Sequence, residues 1–278
     1  MPLGFCSGIC PGGGCEPPAG RGLPWGEPAL SYLTFHLVFI VPPLMLLGWG
    51  LVRMEPGQRV RLLGRRWWWA VPAVAAIAFV YTTPWDNYLV WREVWWYGPD
   101  RVLGTIGHVP VEEYLFFLLQ PFLTGMWTYH VLAWSREAGR ETHREVPGTV
   151  RVAGALPWFG LAAVGGWLLT FDSGVYMGLI LVWAAPVVGA MWLYLGPALW
   201  RRAGVVGLAV AVPTLYLWVA DIVAMAQGIW EISERYTLGP RPFGLPVEEA
   251  AFFLITNVLI VFGTLLFLVP GMDGQKGR

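Results

Sequence analysis

Two acidic pairs at equivalent points of the chain are its clearest chemical signal. Pro110-Val111-Glu112-Glu113-Tyr114-Leu115-Phe116-Phe117 recurs as Pro246-Val247-Glu248-Glu249-Ala250-Ala251-Phe252-Phe253, and each copy opens a long apolar run. Proline suits the first helical turn, so Pro110 and Pro246 mark two helix starts with the acids just inside them. One reading is that the acids complement the partial positive charge of a helix N-terminus. Acids at the edge of hydrocarbon are costly, however, and usually face a bundle interior or a cavity. Their repetition favours a functional pair, suited to general acid–base work. Consecutive glutamates stand about 100° apart on a helix, so one of each pair points into a cavity while the other braces it.

Other residues join them. Asp86 and Asp221 precede the two motifs at nearly the same distance, and Phe116, Phe117, Phe252 and Phe253 supply an apolar lining. Trp67 to Trp69, Trp95, Trp96 and Tyr97 fit interfacial aromatic belts. The alternative is that Trp85, Trp91, Trp95, Trp218 and Trp230 line a cavity and steady a developing carbocation with their π faces. Gln120, His130 and Gln227 fit interhelical hydrogen bonding.

Several chemistries are excluded. The only lysine is Lys276, so a retinal Schiff base on the last helix is impossible. No aspartate-rich Mg²⁺ motif and no Gly-rich dinucleotide fingerprint occur. Cys6, Cys10 and Cys15 lack the fourth ligand of a structural metal site. What remains is acid–base chemistry without cofactor or metal on an apolar substrate.

The elements that must position these groups are membrane helices. The chain has 56% hydrophobic residues, 18 Trp and only 13% charged residues, against about a quarter charged in soluble domains. Zero net charge and dispersed basic residues give no sign of a nucleic-acid partner. Windows near bilayer-spanning length run over Leu30–Val52, Trp67–Thr83, Val109–Trp134, Val152–Thr170, Val175–Trp200, Val205–Gln227 and Leu245–Val269. The expectation is an all-α, polytopic membrane protein with seven transmembrane helices. Arginines at 53, 59, 61, 65 and 66, at 136, 140 and 144, and at 201 and 202, with Lys276 and Arg278, alternate with poorer loops. That pattern puts the N-terminus outside the cell membrane and the C-terminus in the cytoplasm.

The repeat extends beyond the acids. Tyr32 and Pro42 match Tyr176 and Pro186 at one separation, and Trp91–Gly107 resembles Ile229–Gly244 in composition. Two three-helix repeats, 29–134 and 175–270, would be inverted if joined directly. A connecting loop and fourth helix, 135–174, restore parallel orientation. Residues 1–28 read as a disordered tail without signal-peptide features, and 271–278 as a C-terminal tail.

These residues resemble the membrane-integral lycopene cyclases, in the form that fuses two small three-span subunits. The likeness runs over most of Leu30–Val269 and rests on the doubled Pro-Val-Glu-Glu motif, on Asn257, and on the aspartates in Pro84-Trp85-Asp86-Asn87 and Ala220-Asp221. It implies a redox-neutral cyclisation of the ψ ends of lycopene to β-ionone rings, giving γ- and β-carotene. Glu112 and Glu248 are expected first as acid or base, Glu113 and Glu249 next, and Asp86 and Asp221 as partners that set their protonation. Trp85, Tyr114, Phe117, Phe253, Asn257 and Trp230 are expected to bind substrate. The implied partners are lycopene or a similar linear carotenoid, membrane lipid, and a second copy of the chain or other carotenoid-synthesis enzymes. A carotenoid hydratase and a proton-coupled membrane carrier stand as alternatives. His108 and Tyr114 have no counterpart in the second motif, where Gly244 and Ala250 stand.

Overall fold

The computed structural model of the chain describes residues 30–137, 147 and 149–272, with side chains to 268. The expected N-terminal tail with its three cysteines, the loop carrying Arg140 and Arg144, and the end of the C-terminal tail lie outside the described residues.

Helix α1 (Tyr32–Phe35), a π-helical turn (His36–Ile40) and α2 (Val41–Arg53) form one continuous rod. There follow α3 (Pro56–Leu63), α4 (Trp67–Trp91), α5 (Val111–Glu137), α6 (Thr149–Leu168), α7 (Val175–Arg201), α8 (Ala203–Ala226) and α9 (Val247–Met272). Each apolar window of the sequence therefore falls on a long helical stretch. Four stretches, Tyr32–Arg53, Asp172–Arg201, Ala203–Ala226 and Val247–Leu268, are long and apolar enough to cross a membrane by length and composition. The chain is an all-α membrane protein at that level. Helix α5 is less apolar, carrying Gln120 and His130 along its length and Glu112 and Glu113 in its first turn.

Helix α4 runs past the expected end at Thr83, through Pro84, to Trp91. Proline removes a backbone donor, yet the helix continues unbroken, with Thr83 donating to the Phe79 carbonyl at 2.7 Å and Asn87 to that of Thr83 at 2.9 Å on either side of Pro84. This continuation carries Asp86 into the bundle. Helices α5 and α9 start one residue after Pro110 and Pro246. Four short strands in the loops were not expected: β1 (Trp95–Tyr97), β2 (Thr105–Ile106), β3 (Val109–Pro110) and β4 (Trp230–Ile232). Strands β1 and β4 pair antiparallel, with Trp95 opposite Ile232 and Tyr97 opposite Trp230, and so tie the two aromatic loops together. The loops pass so closely that a Cβ on Gly98 would lie 2.2 Å from the Gly228 carbonyl oxygen.

Helices α5 and α9 pack on each other at the centre; α4 and α8 each pack on both of them, α4 chiefly on α5 and α8 chiefly on α9, while α2 lies against α5 and α7 against α9. Helix α6 packs along α7 and buries only Ala155 and Gly165. Its approach requires glycine, since a Cβ on Gly165 would stand 3.0 Å from the Gly178 carbonyl oxygen and one on Gly178 2.8 Å from that of Gly165.

Candidate active site

The starts of α5 and α9, the end of α4, the C-terminal half of α8, the first turns of α1 and α7, and the β1–β4 ribbon surround a narrow chamber. Asp86, Glu113, Asp221 and Glu249 bring four carboxyls to it; Tyr32, Tyr97 and Tyr176 bring three phenols; Trp95, Trp230, Phe35, Phe116, Phe252 and Phe253 supply most of the rest. Among the described residues no Lys, Arg or His lines it.

Each inward glutamate is held by a tyrosine from the opening of the matching helix. Tyr32 donates to Glu113 Oε2 at 2.5 Å, and Tyr176 donates to Glu249 Oε1 at 2.5 Å. Tyr97 adds a second phenol to Glu113 Oε2 at 3.2 Å and accepts from Trp95 Nε1 at 3.3 Å. Burial, followed by the neighbouring Glu113, pushes the Tyr97 phenol well above its usual range, so it remains a neutral donor. Trp230 Nε1 donates to Asp221 Oδ1 at 2.9 Å. Asp86 Oδ2 and Asp221 Oδ2 are buried without a hydrogen-bond partner. Electrostatically the carboxyls form one set: Asp86 and Asp221 each interact with both Glu113 and Glu249.

The other member of each pair does different work. Glu112 Oε1 accepts from the Leu103 amide at 2.8 Å, and Glu248 Oε1 accepts from the Leu238 amide at 2.7 Å. Both are buried, neither lines the chamber, and each pins the returning loop to its helix start. The order expected from sequence, Glu112 and Glu248 first, is thus reversed in placement: the inward positions belong to Glu113 and Glu249. The 100° step between adjacent helical residues allows only one of them to face inward, and the rotation of α5 and α9 in the bundle selects it.

The expected substrate-binding residues divide. Trp230 and Phe253 line the chamber, and Phe117 lines a neighbouring cavity. Trp85 lies behind the chamber wall, stacked on Phe252 at 5.7 Å and on Trp183 at 4.6 Å between ring centres. Tyr114 braces the loop, donating to the Ile106 carbonyl at 2.8 Å and accepting from Asn87 Nδ2 at 2.9 Å. Asn257 sits deeper as an interhelical clamp, accepting from Thr124 at 2.7 Å and donating to Thr214 at 3.0 Å. Gln120 likewise donates to Thr256 across α5 and α9 at 3.0 Å. The three phenols are functional candidates that the residue types alone did not single out. Tyr32 and Tyr176 were visible as repeat partners, and a phenol recurring in two otherwise apolar spans was the available signal.

Among the described residues no group of three or more His, Cys, Asp or Glu side chains is arranged to hold a metal ion. Fold and site together define a helical membrane protein built around a carboxyl–phenol chamber walled by aromatic rings. The chain belongs to the lycopene cyclase family, whose profile matches residues 31–132 and 174–268. It is 42% identical over 237 residues to a lycopene beta-cyclase of Halobacterium salinarum, covering 85% of this chain and 95% of that protein. It is 34% identical over 240 residues to a bifunctional lycopene cyclase/phytoene synthase of Blakeslea trispora, covering 84% of this chain and 38% of that longer protein. No solved structure gives a significant match.

Proposed function

We propose that this chain is a lycopene β-cyclase that closes the ψ ends of a linear carotenoid into β-ionone rings inside the chamber. The observation that carries the reading is the pair Glu113 and Glu249, presented from equivalent helix starts to one aromatic chamber, each gripped by a phenol at 2.5 Å. One carboxyl gives its proton to the terminal double bond and leaves a tertiary cation. The neighbouring double bond closes on that cation, and a second carboxylate removes a ring proton. Atoms and electrons balance within the substrate, so the reaction is an isomerisation. Asp86 and Asp221 exchange protons with the glutamates, while Tyr32, Tyr97 and Tyr176 act as positioning residues. The π faces of Trp95, Trp230 and Phe253 steady the cation. Exclusion of water protects it from capture as an alcohol.

In the membrane the seven long helices cross with the N-terminus outside and the C-terminus in the cytoplasm, as the arginine distribution indicates. The repeats 29–134 and 175–270 then lie parallel, joined through 135–174, with the chamber toward the non-cytoplasmic face. Expression in lycopene-accumulating bacteria, followed by pigment chromatography, tests the reading. β-Ring products are expected; unchanged lycopene despite membrane expression overturns it, and a hydroxylated product turns it into hydration.

A further inference from the structure

Phe252 lines not only the chamber but also a second, larger cavity of about 170 Å³. This groove runs between α4 and α7 over a floor of α9, from Phe252 to Phe267. At the helical rise of 1.5 Å per residue that floor is about 22 Å long, far more than a single ring requires. Its lining is overwhelmingly apolar, and the Gln120 and Thr256 side chains within it are already bonded to each other. Ile77, on its α4 rim, is 58% exposed on the outer face of the bundle, so the groove opens where lipid would lie.

A row of rings joins groove and chamber. Tyr81 stacks on Trp183 with ring centres 5.2 Å apart, Trp183 on Trp85 at 4.6 Å, and Trp85 lies parallel to Phe252 at 5.7 Å. The two halves differ at this point. The Pro110–Pro246 correspondence places Gly263 of the groove opposite Trp127 in the first half. The Trp127 indole reaches across to the Leu208 carbonyl on α8 at 3.2 Å. At Gly263 the α9 backbone lies close to α4, where a Cβ would stand 3.2 Å from Val74 Cγ2, and no large ring divides the groove.

We infer that the α4/α7 groove holds the linear polyene of the substrate while its end group occupies the chamber, with the Phe252 ring as the gate between them. The inference rests on the cyclase reading and adds a binding site for the rest of the molecule. An elongated, rigid hydrocarbon must leave the chamber through a wall, and Phe252 is the wall shared with an apolar groove of sufficient length. A phospholipid acyl chain is the competing occupant.

The test compares two substrates in membranes containing the full chain: lycopene, and a truncated carotenoid with the same ψ end but too short to fill the groove. Val187→Trp narrows the α7 wall, and Ile77→Trp narrows the lipid-facing rim where folding tolerates bulk. In both, cyclisation of lycopene should fall relative to the truncated substrate by roughly tenfold or more, the scale of steric discrimination in apolar pockets. Val212→Trp, at the α8 position that corresponds to Ile77, should leave the ratio unchanged. An unchanged ratio in the groove variants overturns the inference, as does an unchanged ratio accompanied by loss of co-purifying phospholipid. A ψ-ended polyene with a photoreactive group far from its end should label the groove of the unmodified protein, and labelling elsewhere also counts against it. If the unmodified protein cyclises neither substrate, the cyclase reading itself fails.

Discussion

The two halves of the chamber use one frame with different donors. Trp95 and Trp230 stand nine residues after Asp86 and Asp221, respectively, and Tyr97 and Ile232 eleven residues after them. In the first half Tyr97 directs its hydroxyl to Glu113, and Trp95 donates to Tyr97. In the second, Ile232 offers no donor, and Trp230 bonds Asp221 directly. Glu113 therefore receives two phenols and Glu249 one. Extra donors suit Glu113 to carry charge and accept a proton, leaving Glu249 better placed to give one. The frame repeats between the halves, and the donors it carries differ.

The largest expected effects break this comparison outright. Glu249→Gln and Glu113→Gln should each reduce cyclisation by roughly 10²–10⁴-fold, the usual worth of a general acid or base. Product formation in matched membranes measures it, and full activity in either variant would assign the chemistry to one half. Next, Tyr176→Phe should cost more than Tyr97→Phe, because Glu249 has a single phenol whereas Glu113 keeps Tyr32. The loss for Tyr176→Phe should be roughly three- to tenfold, the scale of one neutral hydrogen bond. Equal losses would mean that the second phenol on Glu113 is not redundant.

Smaller effects should follow outside the chamber. Glu112→Gln and Glu248→Gln loosen the bonds to Leu103 and Leu238 and should lower stability by about 1–3 kcal/mol each, measured by thermal unfolding in detergent. Their cyclisation activity should fall far less than in the Glu113 and Glu249 variants; an equal fall would restore Glu112 and Glu248 to the front rank. The smallest effect is expected for Asn87→Ala, which removes a brace of the first half that its repeat counterpart, Ile222, does not supply. Loss of its bond to the His108 amide, 3.0 Å in the native chain, should cost about 1 kcal/mol.

Much of the frame was legible before any coordinates. Apolar windows located the long helices because each must present a nearly continuous hydrocarbon surface. The duplicated Pro-Val-Glu-Glu motif located the helix starts around which the chamber forms. The extension of α4 through Pro84 was not legible, since proline ordinarily marks a helix boundary and only packing against neighbouring helices holds this one together. Nor was the β1–β4 ribbon, whose partners lie in loops far apart along the chain. Trp85, Tyr114 and Asn257 read as substrate contacts because polar and aromatic residues near a motif look alike in sequence. Their placement as wall, loop brace and clamp depends on which helix each one faces.

By itself the sequence determined the helical membrane class, the internal duplication, and a reserve of carboxyls at two matched helix starts. Composition and spacing are sufficient for these, because hydrophobic burial and helix geometry act locally along the chain. Only the tertiary structure decided that Glu113 and Glu249 face inward, that tyrosines far along the chain grip them, and that an apolar groove forms beside α9 in one half. Those outcomes depend on the rotation of each helix about its own axis, and that rotation is set by packing against neighbours distant in sequence.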